Sequence, residues 1–305
     1  MNNKRLIANL LLILTAAIWG FAFVAQRVGS QFVGAFTFNG IRFALGALSL
    51  VPLIIFLDKR KENSEESTEK PNLKATLLPG ILVGLILYAG ATLQQVGLFY
   101  TTVGNASFIT GLYMVFVPII GIFLKHKIGK NSWVGVILAI IGLYLLSINE
   151  NFSISYGDLL EVIGAIFWAV HILAIDNFTK RINPLKLSFI QFATCSILSL
   201  ITAFIFEDIT ISGISSAFIP ILYGGLLSVG VAYTLQVVAQ KDAKPSHAAI
   251  ILSMESVFGA IGGAVLLGES MSGRGYLGCA LILAGILVSQ IKFSPEKALV
   301  SEAVD

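Results

Sequence analysis

Charge is scarce in this chain. Lys and Arg number 20 and Asp and Glu 17 among 305 residues, so 12% of positions are charged, about half the share of an ordinary soluble domain. That shortage excludes a conventional water-soluble globule. Histidine is scarcer still: His126, His171 and His247 stand far apart, with no pair at the H-E-x-x-H spacing of a helical metal site, so no metal is expected. Cys195 and Cys279 both fall in apolar runs, where a thiol is ordinarily a small packing group, and no disulfide is inferred. A Walker A pattern is missing too, so ATP hydrolysis by this sequence is not expected to drive any work. No cofactor is expected.

What the sequence has in quantity is apolar length. It is 56% hydrophobic, with a mean hydropathy of +0.87. Runs long enough to cross about 30 Å of hydrocarbon recur at 6–26, 32–57, 75–100, 105–124, 132–148, 157–174, 185–206, 217–239, 246–267 and 275–291. The runs at 132–148 and 157–174 are the shortest. The first follows Lys4-Arg5 but is too long for a signal-peptide core and has no clear cleavage site, so a retained helix is expected. The one long polar stretch, Asp58–Lys74, and the tail at 294–305 are charged and too short to be domains. The expected fold is an all-α membrane protein of ten transmembrane helices.

The net charge of +3 is explained by where the cations lie. If the N-terminus is cytoplasmic, 17 of the 20 Lys and Arg residues fall in cytoplasmic segments. Arg27 and Arg274 fall outside, and Arg42 lies within a run. This bias places both termini in the cytoplasm, and the basic clusters then need no nucleic-acid partner. The expected partners are the lipid bilayer, a small-molecule solute, and a proton or other gradient ion. The sequence does not specify an oligomeric state.

Five runs in the first half (1–150, with the loop at 58–74) are echoed by five in the second (151–293). An offset of 142 between the fourth and ninth runs matches Ala106 to Ala248, Ile109 to Ile251, Val115 to Val257, Phe116 to Phe258, Ile119 to Ile261, Gly121 to Gly263 and Leu124 to Leu266. Those are seven identities in 19 positions, where apolar composition alone would give about two or three. Trp19 pairs with Trp168, Pro79 with Pro220, Gln95 with Gln236, and Arg42 with Gln191. An odd number of spans per half makes the second copy enter from the opposite side. Inverted repeats around a central cavity are how many secondary transporters build one site that faces either side.

Ala17-Ile18-Trp19-Gly20 in the first run, Asn39-Gly40-Ile41-Arg42-Phe43 in the second and Gly268-Glu269 before the tenth resemble EamA-type permeases of the drug/metabolite transporter superfamily. The resemblance extends over 6–291. It implies a carrier of the bacterial inner membrane that exports amino acids or related metabolites, with the fifth and tenth helices outside a basket around a cavity. Gly268-Glu269 has Lys125-His126 as its counterpart in the first half, a departure from symmetry.

Polar groups in hydrocarbon are expensive, so each raises a functional question. Arg42 either binds loop carbonyls or holds a substrate carboxylate. Glu255, near the middle of the ninth run, serves as a coupling site if protonated, or needs a partner such as Arg42 if ionised. His171 shares a helix face with Trp168 and either packs or relays protons. Trp19 and Trp168 lie away from the interfacial belts where Trp is expected, and either floor a cavity or pack between repeats. Gln94, Gln95 and Gln236 bond between helices or to solute, with Tyr88, Tyr113 and Tyr233 as weaker candidates of the same kind. Gly80-x-x-x-Gly84 and Gly259-x-x-x-Gly263 read as close helix contacts. A membrane-embedded enzyme would need a catalytic constellation beyond Glu255 and His171. A channel would need charge rings or a carbonyl filter. The expected function is a secondary active transporter, an exporter working by alternating access; a membrane-embedded enzyme, or a carrier of drugs or other solutes on the same fold, is the alternative.

Overall fold

The computed structural model of the chain describes residues 3–62, 73–123, 130–147, 154–243 and 245–290. Most of the expected loop at 58–74, the Lys125-His126 pair and the tail at 294–305 lie outside the described residues. Regular structure among the described residues is helical, with no strand. The elements are α1 (Asn3–Gly29), α2 (Ala35–Glu62), α3 (Leu73–Gly97), α4 (Val103–Thr110), α5 (Tyr113–Phe123), α6 (Lys130–Ser147), α7 (Tyr156–Phe178), α8 (Pro184–Phe206), α9 (Ile211–Ser216) and α10 (Phe218–Leu222). A π-helical segment (Tyr223–Tyr233) follows, then α11 (Thr234–Gln240), α12 (Pro245–Leu252), α13 (Glu255–Leu267) and α14 (Gly273–Gln290).

Local chemistry sets the helix starts. Thr102 caps α4 by accepting from the Asn105 amide at 3.1 Å, and Ser155 caps α7 by accepting from Asp158 N at 3.0 Å. Asn183 caps α8, with Pro184 in its first turn, where proline loses no hydrogen bond. Each short polar side chain supplies an acceptor that the first turn lacks.

Eight stretches are long and apolar enough to cross a membrane: Leu6–Gly29, Ala35–Arg60, Thr76–Gly97, Val103–Phe123, Tyr156–Phe178, Pro184–Phe206, Phe218–Gln240 and Ala248–Leu267. They coincide with eight of the ten expected runs. The expected fifth and tenth runs form α6 and α14, of 18 residues each, about 27 Å of helix, and are not among the eight. They pack along one another. A Cβ on Gly142 would stand 2.6 Å from the Gly278 carbonyl, so only glycine permits this approach.

The interior holds polar side chains among its apolar core, and the outer surface of the helices is apolar. Phe123, Phe204 and Val265 are 82%, 76% and 75% exposed, while Arg42, Gln26, Gln95, Glu161, His171 and Glu255 are buried. Apolar side chains turned outward suit lipid, not water.

The spans Val103–Phe123 and Ala248–Leu267, the fourth and ninth of the expected runs, are both broken. α4 gives way to α5 at Gly111-Leu112, and α12 to α13 at Ser253-Met254, positions that match at the offset of 142. At the breaks Leu112, Met114, Met254 and Ser256 bond to the third residue back instead of the fourth, a local tightening. α4 packs on α13 and α5 on α12, so the two broken spans run antiparallel.

α2 and α8 also run antiparallel and are clasped at both ends. The Glu207 carboxylate accepts from Phe36 N (2.8 Å), Thr37 N (2.7 Å) and Thr37 Oγ1 (2.7 Å) at the start of α2. Gly34 leaves room for it, since a Cβ there would collide with the carboxylate. At the other end Asp58 pairs with Lys186 at 2.9 Å. At the offset of 149 that aligns Trp19 with Trp168, Thr37 matches Lys186 and Asp58 matches Glu207.

Gly268 closes α13 in the left-handed region (φ 66), a conformation that glycine adopts without strain. The turn brings the Glu269 carboxylate onto the start of α4, where it accepts from Val103 N (2.9 Å) and Gly104 N (3.0 Å). An anion on a helix N-terminus is favourable, and this one holds the broken fourth span against the end of the ninth.

Candidate functional site

A cavity opens among the helices, lined by Trp19, Ala22, Phe23, Gln26, Arg42, Gln94, Thr110, Tyr113, Trp168, His171, Ile172, Ser228, Tyr233, Gln236 and Glu255. Its residues come from α1, α2, α3, both sides of the α4–α5 break, α7, the π-helical segment, α11 and the first residue of α13. Both helix breaks therefore open onto it, at Thr110 and Tyr113 on one side and Glu255 on the other. Tyr113 and Glu255 match at the offset of 142.

The structure brings together Trp19, Arg42, Gln94, Tyr113, Trp168, His171, Tyr233, Gln236 and Glu255 of the candidate residues. Two lie elsewhere. The Tyr88 hydroxyl shares a 2.7 Å hydrogen bond with Thr202 between α3 and α8. Gln95 is fully buried and donates to the Gln26 carbonyl at 3.1 Å, tying α3 to α1.

One wall of the cavity is aromatic. Tyr233 stands between the two tryptophans, with ring centroids 4.5 Å from Trp19 and 6.1 Å from Trp168, and His171 meets Trp168 edge-on at 6.0 Å. Both indoles are tethered: Trp19 Nε1 donates to the Ser228 carbonyl at 3.2 Å, and Trp168 Nε1 to Gln94 Oε1 at 3.0 Å. The Ser228 carbonyl belongs to the π-helical segment, where wider turns recur at functional sites.

Arg42 is 2% exposed. Its Nε donates to Asn39 Oδ1 at 3.0 Å, and its guanidinium lies over Phe38 (5.5 Å) and Phe43 (5.0 Å), a cation–π arrangement. It makes no ion pair with Glu255: the ion pairs among the described residues are Lys180–Asp176 and Lys186–Asp58. His171 Nε2 lies 2.8 Å from Gln191 Oε1, a pairing in which Nε2 carries the proton. Gln191 matches Arg42 at the offset of 149, so a cation at one of the two positions is answered by an amide and an imidazole at the other.

Gln236 Oε1 is buried with no hydrogen-bond partner, and the buried Tyr113 hydroxyl and Glu255 carboxyl have only each other there. Buried polar atoms are almost always paired, so an orphaned amide oxygen beside this tyrosine–carboxyl contact marks the cavity as a place for a polar guest. Among the described residues no three His, Cys, Asp or Glu side chains gather in a metal-binding arrangement.

Gln26, Thr110 and Ser228 belong to the site without having been singled out in the sequence. Gln26 is its polar hub: Oε1 accepts from Gln94 Nε2 at 3.1 Å, and its carbonyl accepts from Gln95. Its position immediately before Arg27, on the Trp19 helix, was the available signal.

A model of the EamA-like transporter family matches residues 6–148 and again 155–290. An uncharacterized transporter of Archaeoglobus fulgidus is 32% identical over 290 residues, covering 95% of this chain and 87% of its own. A threonine/homoserine exporter of Escherichia coli is 26% identical, over 95% of this chain and 93% of its own. A crystal structure with 18% identity superposes with a TM-score of 0.70, covering 93% of this chain and 96% of the other, a likeness of fold.

Proposed function

Since this chain belongs to the EamA-like transporter family, and is thus a multi-pass membrane transporter, we propose that it is a secondary active exporter of amino acids or related small metabolites. It works by alternating access across the bacterial inner membrane. The observation that carries this reading is the lining of the cavity: a guanidinium in no ion pair, an unpaired buried amide oxygen at Gln236 and an aromatic wall. Arg42 receives the solute carboxylate, since its planar donors match that group. Glu255 and the π-faces of Trp19 and Tyr233 suit an ammonium. Trp168 packs on the remainder of the solute. The export of threonine and homoserine by a relative fits a solute of this kind.

Ten spans in two inverted five-helix halves are the architecture that goes with this mechanism. The antiparallel packing of α2 on α8, of the two broken spans, and of α6 on α14 supports it. In each pair the partners are sequence matches, and matched helices in inverted repeats point opposite ways. Arg274, at the start of α14, donates to the Tyr144 carbonyl near the end of α6 at 3.3 Å, consistent with that direction. α6 and α14 are then the fifth and tenth helices, with both termini in the cytoplasm as the basic loops require. A gradient ion, most simply a proton at Glu255 with His171 beside the route, supplies the drive.

A two-sided cysteine accessibility scan tests the reading. With Cys195 and Cys279 replaced, single cysteines along spans one, four, six and nine should react from one face without solute and from the other with it. Reactivity that never changes side would overturn alternating access. Uptake of labelled threonine into inverted vesicles tests the solute class.

A further inference from the structure

α7 carries two buried carboxylates that the cavity does not use. Asp158 and Glu161 stand one turn apart, 3% and 0% exposed, within a membrane-crossing helix. Neither belongs to an ion pair among the described residues. The Thr101 hydroxyl donates to Asp158 Oδ1, and the Thr110 hydroxyl donates to Glu161 Oε2 at 3.0 Å. Glu161 Oε1 has no hydrogen-bond partner. It lies against Gly97, where a Cβ would stand 2.8 Å from it, so the absence of a side chain there makes its place.

An ionised carboxylate held in hydrocarbon by a single hydroxyl is strongly unfavourable. The neighbours of Glu161 make it worse. α3 and α4 face it with Gly97 and Thr110, and the charged groups that act on it are acidic, Asp158 on its own helix and Glu255 at the start of α13. Among the described residues no cation is paired with it. A bound proton removes the difficulty, leaving a neutral acid of the same shape.

Thr110 connects this acid to the cavity. It ends α4 at the break of the fourth span and lines the cavity beside Tyr113 and Glu255. A hydroxyl both donates and accepts. While Glu161 is ionised, Thr110 donates to it. Once Glu161 is protonated, Thr110 can accept from it and turn its own hydrogen toward the cavity. At the other end, Asp158 sits in the first turn of α7 and Thr101 just before α4, both near one face of the membrane.

We propose that Glu161 is a proton-binding site, and that Asp158, Glu161 and Thr110 relay protons between the membrane face where α7 begins and Glu255 in the cavity. A proton enters from water at Asp158, passes to Glu161 one turn away, and reaches Glu255 through the Thr110 hydroxyl, which accepts one proton as it releases another. No other bond changes, and the proton leaves to the opposite side when the cavity faces there. This rests on the carrier reading of the cavity.

Infrared difference spectra of the full-length protein in lipid vesicles, taken between acidic and alkaline buffers, test it without a transported solute. The wild type should show carbonyl-stretch bands of buried protonated carboxyls. Glu161→Gln should remove one component and Glu255→Gln another. Thr110→Val should move the Glu161 component to higher frequency, because the acid loses its hydrogen bond. A Glu161→Gln spectrum identical to wild type, or a Glu161 component unmoved in Thr110→Val, would overturn the proposal. So would erasure of that component by sodium ions at constant pH, which would make the ligand a metal cation. Should Glu161→Gln fail to fold, the Thr110→Val shift decides. The carrier reading fails separately, if wild-type vesicles move no amino acid while the bands behave as expected.

Discussion

Ser107 and Ser256 exchange hydrogen bonds across the two broken spans: the Ser256 hydroxyl donates to the Ser107 carbonyl at 2.7 Å, and the Ser107 hydroxyl donates to the Ser256 carbonyl at 3.2 Å. Backbones come this close only where side chains are small. Gly259 faces Ser107 and Gly111 faces Ser256; a Cβ on either would fall 2.5 Å from the opposing serine. The seam holds the start of α13, and with it Glu255, in place against α4.

Gly259→Ala should therefore lower the stability of the purified protein by about 1–3 kcal/mol through overpacking. Gly273→Ala, with nothing within 4 Å of the added carbon, should leave it nearly unchanged. Thermal unfolding in detergent distinguishes the two, and equal midpoints would refute the close contact.

The two clasps on α2 and α8 should differ in strength. Asp58–Lys186 is partly exposed, its side chains 43% and 29% accessible, and such pairs contribute about 0.2–1 kcal/mol. Glu207 makes three hydrogen bonds at the start of α2. Glu207→Ala should cost about 1–3 kcal/mol by leaving helix donors unpaired, more than Lys186→Ala, and high salt should weaken only the second contact appreciably.

Arg42→Gln should weaken binding of an amino acid roughly 10- to 100-fold, the value of a hydrogen bond to a charged group. Arg42→Lys should recover part of the loss but not the planar, ring-stacked geometry. Affinity from counterflow in proteoliposomes measures both; an unchanged affinity in Arg42→Gln would leave Arg42 a structural role only.

Trp168→Phe keeps ring area but frees Gln94 Oε1. It should reduce solute affinity several-fold with little loss of folded protein, whereas Trp168→Ala should also destabilise by about 3–5 kcal/mol. Affinity and melting temperature should separate in the first variant and fall together in the second.

Glu255→Gln should abolish the response of transport to an imposed proton gradient while leaving solute exchange at equilibrium intact. A variant that still accumulates solute against its gradient would remove Glu255 from coupling.

Much of this was legible in the order of the residues. Trp19 and Trp168, Arg42 and Glu255 stood out because such groups are expensive or unexpected within apolar helices, and each lines the cavity. Gln95 and Tyr88 had the same signature but bond between helices, since depth in a span does not say which way a side chain points. Glu161 escaped notice because it lies near the end of its span, where a carboxylate is ordinarily solvated; only the packing of Gly97 and Thr110 seals it. Gly268-Glu269 stood out as a motif, yet its task, capping α4 from a distant part of the chain, could not be read from neighbours in sequence.

The sequence by itself determined that the molecule belongs in a membrane and which helices are apolar enough to cross it. Apolar run length must match the bilayer, and sequence correspondence between two halves survives in the residues themselves. The tertiary structure decided where spans four and nine break, which polar atoms are left unpaired, and how Ser107 meets Ser256. Those depend on contacts between residues 149 positions apart, whose geometry is set by packing density and by hydrogen bonds that no local pattern records.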